Sequence, residues 1–288
     1  MTIEEKNNGA GSGCATCVEE RPAEGKPKFE FLEQNPLSNI KRVVAIMSGK
    51  GGVGKSSITA LLANIFTRDG YQVGILDADL TGPSIPKMYG LKGRPEGNEE
   101  VIYPLRTPYF GIRVMSMNLL LEKEDEPVIW RGPVISGAIR QFWTDVAWGE
   151  LDYLLVDLPP GTGDVPLTVM QSLPLNGVII VSSPQELAVM VVRKAIRMAG
   201  MMGAKILGLI ENMAYVVCPE CGKQIFVFGE PKGKEVAEET GLELLSTLPL
   251  DPSLAKLVDD GKIEDYDHTR LEHLPRVLDE KLGLKPRN

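Results

Sequence analysis

Gly49, Gly54, Lys55 and Ser56 stand at the spacing G-x-x-x-x-G-K-S, inside the run Ser48-Gly49-Lys50-Gly51-Gly52-Val53-Gly54-Lys55-Ser56-Ser57. The residue types in that run divide the work. Gly49, Gly51, Gly52 and Gly54 carry no Cβ, so successive backbone N–H groups, that of Val53 among them, can converge on phosphate oxygens. Lys55 reaches the β- and γ-phosphates, and the hydroxyl of Ser56, with Ser57 behind it, faces Mg²⁺. The run is a phosphate loop for a nucleoside triphosphate. The same glycines also satisfy G-x-G-x-x-G at 49, 51 and 54, with Asp77 where a dinucleotide site would seek a ribose-binding acid. That reading has no use for the Lys55-Ser56 pair and leaves the acid at Asp157 unexplained.

Lys50 is a second lysine in the loop. One cradle needs one lysine, so the other is either a solvated loop residue or an ammonium that points outward to a phosphate held by another subunit. Further acids follow downstream. In Asp77-Ala78-Asp79, Asp77 would hold the metal's water shell and Asp79 would orient or deprotonate the attacking water; Asp79 as a helix cap is the bland alternative. Asp157 ends the apolar run Leu154-Leu155-Val156 and is followed by Pro159-Pro160-Gly161-Thr162-Gly163-Asp164. It fits the Mg²⁺-side carboxylate of a nucleotidase, with Gly161 or Gly163 offering an N–H to the γ-phosphate. Asp164 is equally a helix cap. Asn212 has an amide suited to a purine edge, or is a turn residue. Asp251 is a weaker candidate for that pocket and reads equally as a cap.

The four cysteines fall as two C-x-x-C pairs, Cys14/Cys17 and Cys218/Cys221. In a reducing compartment that spacing means metal, cluster or redox chemistry. Cys218-Pro219-Glu220-Cys221-Gly222 supplies two thiolates, half of a four-ligand site for Zn²⁺ or [4Fe–4S]. The histidines, His268 and His273, lie far along the chain. The simplest completion is the same knuckle from a second copy across a two-fold axis, which makes a homodimer. A redox disulfide is the remaining reading.

These residues need a rigid frame. The chain has 288 residues, a formal net charge of −8 and a sequence pI of about 5.1, enough for one large α/β domain and unfavourable to nucleic-acid binding. No apolar run reaches bilayer length and the N-terminus has no signal-peptide core, so a soluble, cytoplasmic protein is expected. Residues 1–38, poor in aliphatics, read as a flexible tail carrying Cys14 and Cys17, and residues 39–288 as the ATPase domain. Strands are expected at 42–47, 72–77, 152–157, 177–182, 205–211 and 244–248, and a helix at 55–68. Several strands are apolar at every position, as in a mostly parallel sheet covered by helices on both faces. Ligands in such sheets sit at the strand carboxyl ends, where Asp77, Asp157 and Asn212 fall. Residues 91–130 read as a β excursion on the sheet edge, with β runs near 101–103 and 112–117. The amphipathic stretch 270–283 mixes acids with bases, which favours a docked helix over a membrane-surface one.

Gly49-Lys50-Gly51-Gly52-Val53-Gly54-Lys55-Ser56-Ser57 resembles the deviant phosphate loop of the MinD/ParA class of ATPases, in which the additional lysine crosses a nucleotide-sandwich dimer. The stretches 77–84, 130–133, 148–153, 157–164 and 211–222 are similar to one branch of it, the Mrp/ApbC-type iron–sulfur carriers. The resemblance implies a P-loop NTPase fold and a homodimer that binds and hydrolyses ATP with Mg²⁺. It also implies a transferable [4Fe–4S] cluster between paired Cys218 and Cys221, delivered to apo iron–sulfur proteins and shared with assembly factors. The catalytic set it implies is Lys50, Lys55 and Asp79, and it implies no nucleic acid or membrane partner. Eukaryotic cytosolic relatives have four N-terminal cysteines where this chain has Cys14 and Cys17. The rival readings are a MinD/ParA-like positioning ATPase with a structural Zn²⁺ knuckle and an electron-transferring reductase.

Overall fold

A computed structural model of the chain describes residues 31–79, 85–98, 100–120, 132–184 and 188–284. Cys14, Cys17, Trp130 and Arg131 lie outside the described residues. The elements in the first half are β1 (Ser38–Ile40), β2 (Val43–Ser48), α1 (Lys55–Arg68), β3 (Val73–Asp77), α2 (Ile85–Met88), β4 (Glu96–Gly97), β5 (Ile102–Tyr103), β6 (Leu105–Arg106), β7 (Arg113–Ser116) and α3 (Gly132–Thr144). Then follow β8 (Gly149–Leu151), β9 (Tyr153–Asp157), α4 (Asp164–Ser172), β10 (Gly177–Ser182), α5 (Ala188–Met201) and β11 (Ile206–Glu211). The last are β12 (Val216–Val217), β13 (Gln224–Ile225), α6 (Gly233–Thr240), β14 (Leu244–Thr247), α7 (Pro252–Asp259) and α8 (Leu274–Lys281).

The main sheet runs β14-β11-β10-β2-β9-β3-β7-β6. All its pairings are parallel except β6 with β7. Period-two alternation along β2 divides its side chains between two cores: Val44 and Ile46 face one side, and Val43, Ala45 and Met47 the other. The first side is closed by Ile58, Leu61, Leu62 and Ile65 of α1 with Leu274 and Leu278 of α8. The second is closed by Ile139 and Phe142 of α3, Val169 of α4 and Val192 of α5. Both faces are buried, which is why β2, β3, β9 and β10 read as continuous apolar runs.

Two expectations are adjusted. The run near 112–117 is β7, a member of the main sheet beside β3, joined by the short antiparallel β6; β4 and β5 form a separate hairpin outside it. The C-terminal stretch is not one helix from 270. A 3₁₀ turn, Thr269–Leu271, precedes α8, because Pro275 has no N–H to donate and clashes with a preceding helical turn, so it opens the helix instead of continuing one. Packing against the body begins ahead of residue 39. Leu32 N–H donates to the Ser172 carbonyl, Asn35 N–H to the Trp143 carbonyl, and β1 pairs with β8.

Candidate functional site

Parallel pairing brings the carboxyl ends of β2, β3, β9, β10 and β11 to one edge of the sheet, and the glycine loop leaves β2 there. The loop turns into α1 at Gly54, whose φ of +80° lies in the left-handed region that L-residues avoid. A Cβ at Gly54 would also stand 2.3 Å from Asn212 Nδ2, so glycine is required twice over. Gly51 and Gly52 leave the loop's outer face open: the nearest atom a Gly51 Cβ would meet is Pro160 Cγ at 3.7 Å, and Gly52 meets nothing within 4 Å. Ser48 Oγ donates to the Lys50 carbonyl at 3.0 Å, and Gly161 N–H donates to the Ser48 carbonyl at 2.8 Å. The turn after β9 is thereby tied to the foot of the loop.

The first turn of α1 points Lys55 and Ser56 at β9. Lys55 Nζ lies 2.7 Å from Asp157 Oδ1 and 3.4 Å from Asp79 Oδ2, and Ser56 Oγ donates to Asp157 Oδ2 at 2.5 Å. Thr59, one helical turn after Lys55, donates to Asp157 Oδ1 at 3.0 Å. Asp77 stands beside Asp157 in the β3–β9 register and accepts from Ser116 Oγ at 2.9 Å and from the Asp79 N–H at 3.1 Å. Both carboxylates are fully buried. Burial, then the charge of Asp157, pushes Asp77 up to about 8. Burial raises Asp157 too, against the pull of the Lys55 ammonium. Lys55 sits on Asp157, so Asp157 carries the charge and Asp77 the proton at neutral pH.

Asn212 follows β11, its N–H bonded to the Ser182 carbonyl, and its side-chain amide donates to the Val53 carbonyl at 2.9 Å. It lines a small cavity of about 20 Å³ with Leu61, Leu248, Tyr266, His268 and Arg270. His268 is also part of the wall of an outer cleft of about 250 Å³ with Arg68, Asp69 and Glu272. Asp251 caps α7: its carboxylate accepts from Ser253 N–H at 2.8 Å and from Tyr266 Oη at 2.8 Å. Asp164 is the first residue of α4, with Gly163 at the cap position.

β12 and β13 form an antiparallel hairpin with Cys218 and Cys221 at its tip. The turn is closed by the Cys218 N–H on the Lys223 carbonyl and the Gly222 N–H on the Cys218 carbonyl, both 2.9 Å. Both thiols are free. The backbone N–H groups of Cys221 and Glu220, then the Cys221 thiol, lower the Cys218 pKa. Donors aimed at sulfur favour the thiolate, the form that ligates metal. Among the described residues no group of three or more His, Cys, Asp or Glu is placed to hold a metal, so the knuckle offers a pair of ligands and no more. Ile225, Phe226, Val227 and Phe228 follow the tip and are all exposed.

The phosphate loop, Asp77, Asp79, Asp157, Gly161 and Asn212 are thus brought together. The cysteines stand on a neighbouring excursion from the same sheet edge. Sequence reasoning missed Thr59, whose signal is its i+4 spacing from Lys55, and Ser116, which ends a strand beside β3. Among the described residues no helix is long and apolar enough to cross a membrane.

The family described as ParA, NUBPL iron-transfer P-loop NTPase, matches residues 39–280. A protein of Clostridium perfringens (strain 13 / Type A) named iron-sulfur cluster carrier protein is 47% identical over 236 residues, covering 79% of this chain and 82% of its own. A protein of the same name from Methanocaldococcus jannaschii is 50% identical over 227 residues, covering 78% of each chain. Among solved structures, a nucleotide-binding protein in complex with ADP, with Co, from Archaeoglobus fulgidus is 51% identical, with a TM-score of 0.72 over 79% of this chain and 89% of that one. The cell division ATPase MinD of Pyrococcus furiosus is 19% identical with a TM-score of 0.60, over 83% of this chain and 99% of its own, a likeness of fold.

Proposed function

Since the chain belongs to the ParA-type family of NUBPL iron-transfer P-loop NTPases, we propose that it is an ATP-hydrolysing homodimeric carrier whose cargo is a [4Fe–4S] cluster. Each subunit contributes Cys218 and Cys221, and the assembled cluster passes to apo iron–sulfur proteins. The observation that carries this reading is a hairpin tip offering two free thiols, with no third ligand among the described residues, on an excursion that begins at Asn212 against the phosphate loop. A four-ligand cluster needs a second such pair. The exposed apolar residues after the tip support the pairing of two copies there, because such a strip on a soluble protein marks a contact surface.

At the nucleotide site, the loop N–H groups take the phosphates of ATP. Lys55 leaves its internal partners Asp157 and Asp79 for the β- and γ-phosphates. The residues fit Mg²⁺: Ser56 Oγ and the carboxylates of Asp77 and Asp157 converge, and the ion would neutralise developing charge on the phosphates. Asp79 orients the attacking water, and Lys50 reaches across to the partner's γ-phosphate. Asn212 exchanges the Val53 carbonyl for the purine edge.

Anaerobic reconstitution followed by iron and sulfide analysis tests the reading. About four iron and four sulfide per dimer are expected, falling to background in Cys218→Ala or Cys221→Ala. Wild-type loading after Cys218→Ala, zinc without sulfide in anaerobically prepared protein, or a chain that stays monomeric with iron, sulfide and ATP all present overturns it.

A further inference from the structure

Among the described residues Met213 is the one non-glycine residue with a left-handed backbone, at a φ of +57°. L-residues avoid that region, so the neighbours of Met213 must hold it there. Those neighbours are the phosphate loop and the base of the cysteine hairpin. On one side, Asn212 holds the Val53 carbonyl, and Met213 Cε stands 3.3 Å from where a Gly54 Cβ would be. Asn212 and Met213 therefore lie against the last two loop residues before Lys55.

On the other side the chain is clamped at both ends of the excursion. The Leu248 N–H donates to the Glu211 carbonyl and the Ala214 N–H to the Leu248 carbonyl, both at 2.8 Å. The Leu250 N–H donates to the Tyr215 carbonyl at 2.7 Å, and Arg270 donates to Tyr215 Oη at 3.0 Å. Glu211 Oε1 accepts from the Lys232 and Gly233 N–H groups at 2.8 and 2.9 Å, which fixes the returning chain to the strand that sent it out. Between these clamps the left-handed turn at Met213 touches the phosphate loop, and Ala214–Val217 leads straight from it to Cys218.

We propose that Met213 is a positioning residue that sets the orientation and reactivity of Cys218 and Cys221 according to the occupancy of the phosphate loop. The inference rests on the proposed role of that loop as the nucleotide site. Filling the loop turns the Val53–Gly54 peptides toward phosphate and withdraws the carbonyl that Asn212 holds. The turn is held in a disfavoured region between the loop and these clamps, so a change at the loop side lets it relax. The clamps at Glu211 and Tyr215 convert that relaxation into a rotation of β12 and its cysteines.

The test uses the full chain with Cys14→Ser and Cys17→Ser, which leaves the hairpin thiols as its only cysteines. Alkylation by N-ethylmaleimide is timed with and without MgATP, and nucleotide binding is measured in parallel with a fluorescent ATP analogue. In this parent chain MgATP is expected to change the alkylation rate about threefold or more. Met213→Gly adopts the turn freely and loses the side-chain contact, so its rate should be independent of nucleotide while affinity stays within about twofold. Should Met213→Gly fail to fold, Met213→Asn, which also tolerates the left-handed region, replaces it with the same expectation. A full nucleotide response in either folded variant overturns the inference, as does nucleotide binding to the parent with no change in alkylation. No nucleotide binding to the parent overturns the proposed function along with it.

Discussion

His268 makes the protein sensitive to acid, to an extent set by its surroundings. The ring is 1% exposed, and neither Nδ1 nor Nε2 makes a hydrogen bond of good geometry. Burial, then the nearby Arg68 guanidinium, lowers its pKa to about 4 from an ordinary 6.5, against the weaker pull of the Tyr266 backbone and Asp267. Asp69, Glu272 and Arg270 face the cavities on either side. The folded chain keeps the imidazole neutral where the unfolded chain protonates it. Between 6.5 and 4 the unfolded state therefore binds more protons, and stability rises with pH. This contribution is complete above 6.5 and is lost as pH falls through 4. Those two values give a loss of about 2 kcal/mol between pH 7 and pH 5 from this one residue. His268→Phe keeps a ring in the same space and removes both nitrogens and the titration. Urea unfolding at several pH values measures the difference, since carboxylates common to both proteins cancel. The variant should be at least as stable as wild type near neutral pH and about 2 kcal/mol more stable, relative to wild type, at pH 5. Parallel pH profiles for the two proteins would refute the reasoning.

Three further outcomes are expected. Gly54→Ala places a Cβ 2.3 Å from Asn212 Nδ2 at a φ of +80°; the chain should lose about 1–2 kcal/mol of stability and about tenfold or more in ATP affinity by calorimetric titration. Asp279→Ala removes the buried acceptor of the Tyr71 and Tyr153 hydroxyls; unfolding should become easier by about 3 kcal/mol, with α8 the first segment to gain amide exchange. Lys50→Ala should leave ATP affinity within about threefold while lowering turnover about a hundredfold or more, if its ammonium serves the partner's γ-phosphate as proposed.

The strands and the first helix were legible because burial on both faces leaves an unbroken apolar signature: 42–47 was expected and Val43–Ser48 is found, and α1 runs from Lys55 to Arg68 as expected. The convergence of Lys55, Ser56 and Asp157 was legible because a strand–turn–helix motif constrains its own geometry, and parallel pairing sets the acid beside it. What escaped the sequence depends on distant neighbours. Asp279 is one of the acids that the stretch 270–283 mixes with bases, and nothing local marks it as the one buried against tyrosines 208 and 126 residues away. Asp251 was weighed equally for the base pocket and as a helix cap; it is the cap of α7, and only its second partner, Tyr266, was out of reach of the sequence. The left-handed turn at Met213 had no signature, since methionine carries no preference for it. The placement of β7 in the main sheet was hidden by its shortness and by the prolines around it.

Lys55 already has an anionic partner inside the protein, the carboxylate of Asp157. Asp157 therefore competes with any ligand for that ammonium. An incoming molecule must offer the ammonium more than Asp157 does, and must compensate a carboxylate left in a dry interior. Small monovalent anions such as chloride or acetate cannot meet that demand, whereas a polyphosphate arriving with its counter-cation can. If the loop is the nucleotide site as proposed, it is expected to act as a threshold filter, quiet toward the common anions around it and responsive to a ligand of sufficient charge.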